Sequence, residues 1–367
     1  MNNKLYFVVG LEGSGKTTAT KFLADSVEGG VAVQTSSRLF SFLEQENTSI
    51  KEINSLSTQK REEIINKFHY QLYNDKEINT YSFFDGHMFV DNIEKGIRIH
   101  AMATENRSVS DGLIFLNASS VQINKNITSD NINQTRYRNV KTTNKLKELS
   151  EIEFQEAEDY CLKNNLDFGL LNATDKNGEF ASKRFSDITF LNHYLLPQSE
   201  ELRENYKAQF DFDLKPSNLR ERHLNIGRLI ERSFHTKVDI NKDNYQVISM
   251  DRSGNFIANG FVHNFDGQYS TYHQGCSGID LVSMNKDVII IDSVIDTGTT
   301  IEDIVGRFPS NYNKQIHVVC LCINIKSLPK LQGLSDKVTF HCLGFSNKEE
   351  RPTGKKDMGA RLYGTNN

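Results

Sequence analysis

The segment Gly10-Leu-Glu-Gly13-Ser-Gly15-Lys16-Thr17 constrains this chain more than any other stretch. It has the spacing G-x-x-x-x-G-K-[ST], follows the apolar run Leu5–Val9 and leads into a helix-like Thr18–Asp25. Glycines let backbone N–H groups curl around a phosphate, and a helix that starts there adds its positive end. The Lys16 amine suits the β- and γ-phosphates of a nucleoside triphosphate, and the Thr17 hydroxyl suits Mg²⁺. Gly10, Gly13, Ser14, Gly15, Lys16, Thr17 and Thr18 are therefore the candidate ATP-binding residues, with Lys16 also catalytic. An ordinary glycine turn ahead of a helix is the plainer alternative. A strand–loop–helix unit of this kind sits on a parallel sheet, so the surrounding domain is expected to be α/β.

The pattern beyond it agrees with that class. Short β-rich runs are expected as strands at Leu5–Val9, Val31–Thr35, Tyr81–Phe84, Gly112–Asn117 and Asp167–Asn172, with helices over Lys51–Leu72 and Ser150–Asn164. In Phe83-Phe-Asp85-Gly-His87 a carboxylate follows a strand end, where it would lie beside the phosphate loop. Asp85 is thus a candidate catalytic residue and, with Thr17, a candidate metal ligand; a capping or turn aspartate is the alternative. The Asn-rich stretch Asn124–Asn144 lacks apolar anchors and reads as a mobile loop or lid. Within it Arg136 and Arg138 could cover a transferring phosphoryl group, or form a solvated surface pair.

A second constraint lies in Val288-Ile-Ile-Ile-Asp292-Ser-Val-Ile-Asp296-Thr297-Gly298-Thr299-Thr300. An all-apolar strand runs into an acidic turn, and a small-residue loop then enters a helix-like Ile301–Arg307. Thr297 to Thr300 offer N–H groups and hydroxyls to a phosphate monoester, in a loop that begins at Asp296, while Asp292 can reach ribose hydroxyls. Strands are expected at Gln246–Met250, Asp287–Ile291, His317–Ile323 and Val338–Leu343, and a helix over Ser217–Ser233. Met250-Asp-Arg252-Ser-Gly254 places Arg252 at a strand end. Tyr269 and Tyr272, in the polar stretch Asn264–Gly278, are candidates for a flexible hood or are surface loop tyrosines.

The 367 residues suffice for two domains. All five prolines lie after residue 196, which suggests a domain at 1–190, a linker at 191–215 and a second domain at 216–367. A formal net charge of −4 calls for no nucleic-acid or anionic-membrane partner, and no apolar run is long enough to span a membrane. A cytoplasmic location is expected, because five apolar residues after Lys4 are too few for a signal-peptide core. The five cysteines form no pairing framework; Cys320 and Cys322 are expected to be buried small side chains on one face of a strand.

Two family resemblances rest on these residues. The first domain resembles the archaeal-type adenylate kinases, P-loop nucleoside monophosphate kinases, through the Gly10–Thr17 loop, Ser57-Thr-Gln-Lys-Arg61, Phe84-Asp-Gly-His87, Thr135-Arg-Tyr-Arg138, Ser150-Glu-Ile-Glu-Phe-Gln155 and Leu170-Leu-Asn172. The region after His87 departs from that family. Residues 215–367 resemble the type I phosphoribosyltransferases, in particular the uracil enzymes. The likeness is carried by Asp292–Thr300, the Arg252 turn, Leu219-Arg220-Glu-Arg222 and the closing Gly354-Lys-Lys-Asp357-Met-Gly359-Ala360-Arg361-Leu-Tyr363-Gly364-Thr365. Ala360 and Lys355-Lys356 depart from the closing pattern.

The resemblances imply a three-layer P-loop kinase domain followed by a type I phosphoribosyltransferase domain. Arg252, Asp292, Asp296, Thr297, Gly298, Thr299 and Thr300 would bind PRPP, and Asp357, Gly359 and Arg361 the base. Arg252, Asp292 and Asp296 would be catalytic there, as Lys16, Asp85, Arg136 and Arg138 would be in the kinase. The function implied is nucleotide salvage: a pyrimidine base, uracil, is joined to PRPP, and the resulting monophosphate is phosphorylated from ATP with Mg²⁺. Partners would be nucleotides, a nucleobase and further copies of the chain, since such transferases are often dimers. The same chemistry on a modified base, in a viral or DNA-modification pathway, is an alternative, as is a PRPP- or nucleotide-sensing regulator without turnover.

Overall fold

The computed structural model describes residues 3–49, 52, 56–76, 80–92, 97–100, 110–133, 140–174, 179–240, 244–263, 267–273, 283–348, 352–353 and 357–365. The chain divides into two compact units, Met1–His193 and Tyr194–Asn367, both α/β with parallel sheets. Among the described residues no helix is long and apolar enough to cross a membrane.

The first unit runs β1 (Lys4–Val9), α1 (Lys16–Asp25), β2 (Gly30–Val33), α2 (Thr35–Gln45), α3 (Thr58–Lys76), β3 (Tyr81–Asp85), β4 (Phe89–Asn92), β5 (Ile97–His100), β6 (Gly112–Asn117), α4 (Ser120–Ile132), α5 (Thr143–Asn164), β7 (Asp167–Asn172) and β8 (Thr189–Phe190). Its sheet has the order β2-β3-β1-β6-β7-β8, parallel throughout except for the edge strand β8. β4 and β5 form a separate antiparallel pair. β1 is buried over Leu5–Val9 because it lies mid-sheet, so both faces are apolar and the run is continuous rather than alternating. Neighbours of β1 on the two sides, β3 and β6, both come later in the chain, which opens a crevice beyond its C-terminal end.

The Asn-rich stretch differs from expectation. Residues 120–132 form helix α4, capped by Ser119, whose hydroxyl accepts from the Gln122 N–H at 3.2 Å. Ile123 and Ile127 are four apart and bury one stripe against Leu11, Leu146 and Leu149. Asn, Ser and Thr are weak helix formers, so composition masks a helix held by packing. Residues 134–139, with Arg136 and Arg138, lie outside the described residues.

The second unit runs α6 (Glu200–Ala208), α7 (Pro216–Lys237), β9 (Tyr245–Met250), α8 (Asn255–Phe261), β10 (Tyr269–Tyr272), β11 (Asp287–Ile291), β12 (Val294–Ile295), α9 (Thr299–Gly306), β13 (Ile316–Asn324), α10 (Leu328–Gln332), β14 (Val338–Ser346) and α11 (Met358–Tyr363). Its strands are all parallel in the order β10-β9-β11-β13-β14, and the short β12 pairs with the far end of β13. Every residue of β13 is buried, Cys320 and Cys322 among them. The Cys320 thiol donates to the His341 carbonyl at 3.7 Å and is pushed up by burial. It therefore behaves as a packed apolar side chain.

Residues 194–215 belong to the body of this unit rather than to a linker. Leu196, Leu202 and Tyr206 are buried in the same core as Ile226, Phe234, Ile289 and Leu343. Tyr269 and Tyr272 lie on strand β10, paired with β9, and Tyr272 is buried with its hydroxyl donating to Asp303 at 2.6 Å. Both therefore lie on a short edge strand, which the polar letters around them hide, rather than in a loop.

One close approach sets the mouth of this sheet. A Cβ on Gly254 would lie 2.2 Å from the Ile291 carbonyl oxygen, so only glycine lets the turn after β9 rest on β11. Gly254→Ala is expected to destabilise the second unit by about 3 kcal/mol. A urea midpoint that stays at the wild-type value would refute that packing argument.

Candidate functional sites

In the first unit the loop after β1 is turned by three glycines into the N-terminus of a helix. Gly10, Gly13 and Gly15 have φ of 148°, 84° and 98°, values that L side chains rarely adopt. Gly15 is the residue before α1, so the helix N-terminus faces the loop. Lys16 is buried, and its Nζ donates to the Gly10 and Leu11 carbonyls at 2.6 and 2.9 Å. Among the described residues the buried Ser14 hydroxyl of the same loop has no hydrogen-bond partner. Thr18 makes the first helical bond, its N–H donating to Gly15 at 3.0 Å.

Asp85 is brought to this loop by sheet register, since Val8 of β1 pairs with Asp85 of β3. Its carboxylate accepts from the Thr17 hydroxyl at 3.0 Å and from the Thr35 N–H at 2.6 Å. A hydroxyl and a carboxylate at this spacing are hard oxygen donors, which fit Mg²⁺ shared with substrate phosphates. Among the described residues no group of three or more His, Cys, Asp or Glu side chains could hold a metal alone. His87 lies two residues beyond Asp85, half-buried. Thr35 and Asn126 were not foreseen. Asn126 donates to the Gly13 carbonyl at 2.8 Å across 113 residues, a pairing no local pattern announces.

In the second unit two turns meet at the C-terminal ends of adjacent strands, because Ser249 of β9 pairs with Ile291 of β11. Arg252 has φ of 63°, a left-handed conformation unusual for a non-glycine residue and found where a turn is held by its surroundings. Asp292 is buried; its carboxylate accepts from the Ser253 hydroxyl at 2.5 Å and the Ser293 N–H at 2.7 Å. Burial raises the Asp292 carboxyl above its ordinary range, against the pull of those donors.

Beyond Asp292, β12 carries the chain along β13, and this brings Asp296 to Lys326 at 2.8 Å and to the Asn324 amide at 3.2 Å. Gly298, with φ of 73°, precedes α9, and the Thr299 hydroxyl meets those of Thr297 at 3.2 Å and the Lys330 ammonium at 3.1 Å. Lys330 also pairs with Glu302 at 2.8 Å. Thr300 continues the first turn of α9. Lys326 and Lys330 follow β13 with no motif spacing to mark them.

The closing segment divides. Asp357 caps α11 by accepting from the Ala360 N–H at 2.6 Å, and it pairs with Arg252 at 3.4 Å; Gly359 lies against the Arg252 side chain. Arg361 does not join them. It is buried, donates to the Asp211 carbonyl at 2.6 Å and lies over the Phe212 ring at 5.1 Å. On a six-residue helix, Arg361 falls on the face packed against the chain before α7, where it anchors that turn.

No protein-family model matches the chain, and no curated protein matches it. Among solved structures it is similar to the AQ2163 protein from Aquifex aeolicus, at 15% identity over 46% of this chain and 97% of that one, with a TM-score of 0.40. It is similar to orotate phosphoribosyltransferase of Mycobacterium tuberculosis H37Rv in complex with inorganic phosphate, at 10% identity over 40% and 90% of the two chains, TM-score 0.31. It is also similar to the Trypanosoma brucei adenine phosphoribosyl transferase in complex with AMP, pyrophosphate and ribose-5-phosphate, at 13% identity over 46% and 87%, TM-score 0.34.

Proposed function

We propose that the chain is a two-step nucleotide-salvage enzyme, a phosphoribosyltransferase joined to an ATP-dependent nucleoside monophosphate kinase. One observation carries the reading. Each unit has a glycine-turned loop entering a helix N-terminus, at the C-terminal end of a parallel strand, with a carboxylate beside it.

In the second unit the Asp296–Thr300 loop would hold the 5′-phosphate of PRPP, and Asp292 would orient the ribose. Arg252 would neutralise the leaving pyrophosphate, and Asp357 and Gly359 would border the base. The C1–O bond to pyrophosphate breaks, its electron pair leaving with the pyrophosphate, and a C1–N bond forms to the base as the base's ring N–H gives up its proton to solvent. Uracil is the proposed base. In the first unit the Gly10–Thr18 loop would hold ATP. Lys16 would leave the Gly10 and Leu11 carbonyls for the γ-phosphate, and an acceptor phosphate oxygen would displace ADP at that phosphorus. Thr17 and Asp85 would hold Mg²⁺, which supplies charge neutralisation.

The test is pyrophosphate release from PRPP and Mg²⁺ against a panel of nucleobases, with and without ATP, products being weighed by mass. UMP from uracil, and UDP only when ATP is added, is the expected result. The burial of Asp292 favours a second reading, a PRPP sensor. PRPP binding with no pyrophosphate release from any base would establish that reading instead.

A further inference from the structure

We propose that Asn126 of α4 is a positioning residue for the phosphate loop, fixing the loop's curvature before nucleotide arrives. The nucleotide as ligand rests on the kinase reading of the first unit; the loop geometry does not.

A loop that turns its N–H groups inward onto an anion must turn its carbonyls outward, and each outward carbonyl needs a donor. Leu11 accepts from the Ser14 N–H at 3.1 Å, and Gly15 accepts from the N–H groups of Thr18 and Ala19 at 3.0 Å each. Gly10 and Leu11 accept from the Lys16 ammonium. Gly13, at φ 84° in the middle of the turn, has its carbonyl held by Asn126 Nδ2 at 2.8 Å.

The orientation of that amide is itself set. Asn126 Oδ1 accepts from Gln122 Nε2 at 2.8 Å, one helical turn earlier, and Gln122 is buried. With Oδ1 engaged by a donor, Nδ2 is the atom presented to Gly13. Gln122 lies in the capped first turn of α4, directly after β6, the strand that pairs with β1. The curvature of the loop is thus referred to the sheet by a route independent of Lys16.

That independence gives the residue its role. When Lys16 turns to a phosphate, its bonds to Gly10 and Leu11 are given up, whereas the Asn126 bond to Gly13 engages no atom the ligand needs. It preorganises the cradle in both states, so its loss weakens nucleotide binding and spares the chemical step.

The test uses the full chain and the probes Mg·ATP and inorganic tripolyphosphate, with binding by calorimetry and turnover in parallel. Asn126→Leu keeps the volume and removes the donor; it is expected to weaken both probes about tenfold and raise KM for ATP, with kcat within threefold. Asn126→Asp sets a carboxylate against the Gly13 carbonyl and is expected to cost about a hundredfold in affinity. A residue that merely supported the fold would lower the melting temperature in both variants without separating them in affinity. Binding within twofold of wild type for both variants, or a loss confined to kcat, overturns the proposal. Wild-type binding of both probes without phosphoryl transfer would remove the kinase reading, and the two variants would still decide the role of Asn126. Failure of the wild-type chain to bind either probe overturns both.

Discussion

Replacing Lys16 by methionine is expected to lower ATP-dependent phosphoryl transfer by about 10²–10³-fold while pyrophosphate release from PRPP proceeds at the wild-type rate. Methionine keeps much of the lysine stem, so the packing of a side chain only 8% exposed is largely retained and the charge is what disappears. On the kinase reading, that charge faces the phosphoryl group in flight, inside a loop whose other donors are uncharged backbone N–H groups and hydroxyls. The variant also leaves the Gly10 and Leu11 carbonyls without their ammonium donor, so a modest loss of stability accompanies the loss of rate. Initial rates of ADP formation with the product monophosphate as acceptor check the first part. Transfer retained within fivefold would sink the assignment of Lys16, and a parallel fall in pyrophosphate release would show that the two activities share a site.

Asp292→Asn is expected to reduce pyrophosphate release about a hundredfold and, at neutral pH, to raise the melting temperature. Asparagine is isosteric, and its carbonyl oxygen can still accept from Ser253 and the Ser293 N–H, so the turn keeps its shape. The stability change follows from the carboxyl's displaced titration. Burial puts its folded value above the ordinary 3.8 of the unfolded chain, so the native state binds the extra proton between those two values. Stability present below the unfolded value is lost as pH climbs through the folded one, and above that the ionised group burdens the fold. Removing the charge therefore stabilises at pH 7, and the gain shrinks towards pH 4. A variant that melts lower at pH 7 than wild type would refute the burial argument, whatever its activity. A gain in stability paired with a loss of turnover is the mark of a group kept for function.

How far the sequence reached can be read from particular elements. Gly112–Asn117, Asp167–Asn172 and Asp287–Ile291 occupy the residues that continuous apolar runs pick out. Val31–Thr35 starts and ends late against the observed Gly30–Val33, since strand ends depend on partners. The helix expected over Lys51–Leu72 is described from Thr58 to Lys76, a shift that spacing alone does not resolve. Helix α4 was hidden by its composition, and strand β10 by polar neighbours.

The two glycine-turned loops are legible because they are written in consecutive residues: glycine, lysine, threonine and aspartate at spacings that the local backbone must satisfy. The sequence by itself thus determined two α/β units, the two glycine-turned loops that enter a helix, and the apolar strands beneath them. Only the tertiary structure decided which side chains complete those turns. Asn126 reaches Gly13 across 113 residues, Ser253 reaches Asp292 across 39, and Arg361 turns to Asp211 across 150. Such pairs are set by strand order and helix packing, which bring distant residues within hydrogen-bond range only after the chain has closed on itself. A periodicity of two or 3.6 residues carries no record of them.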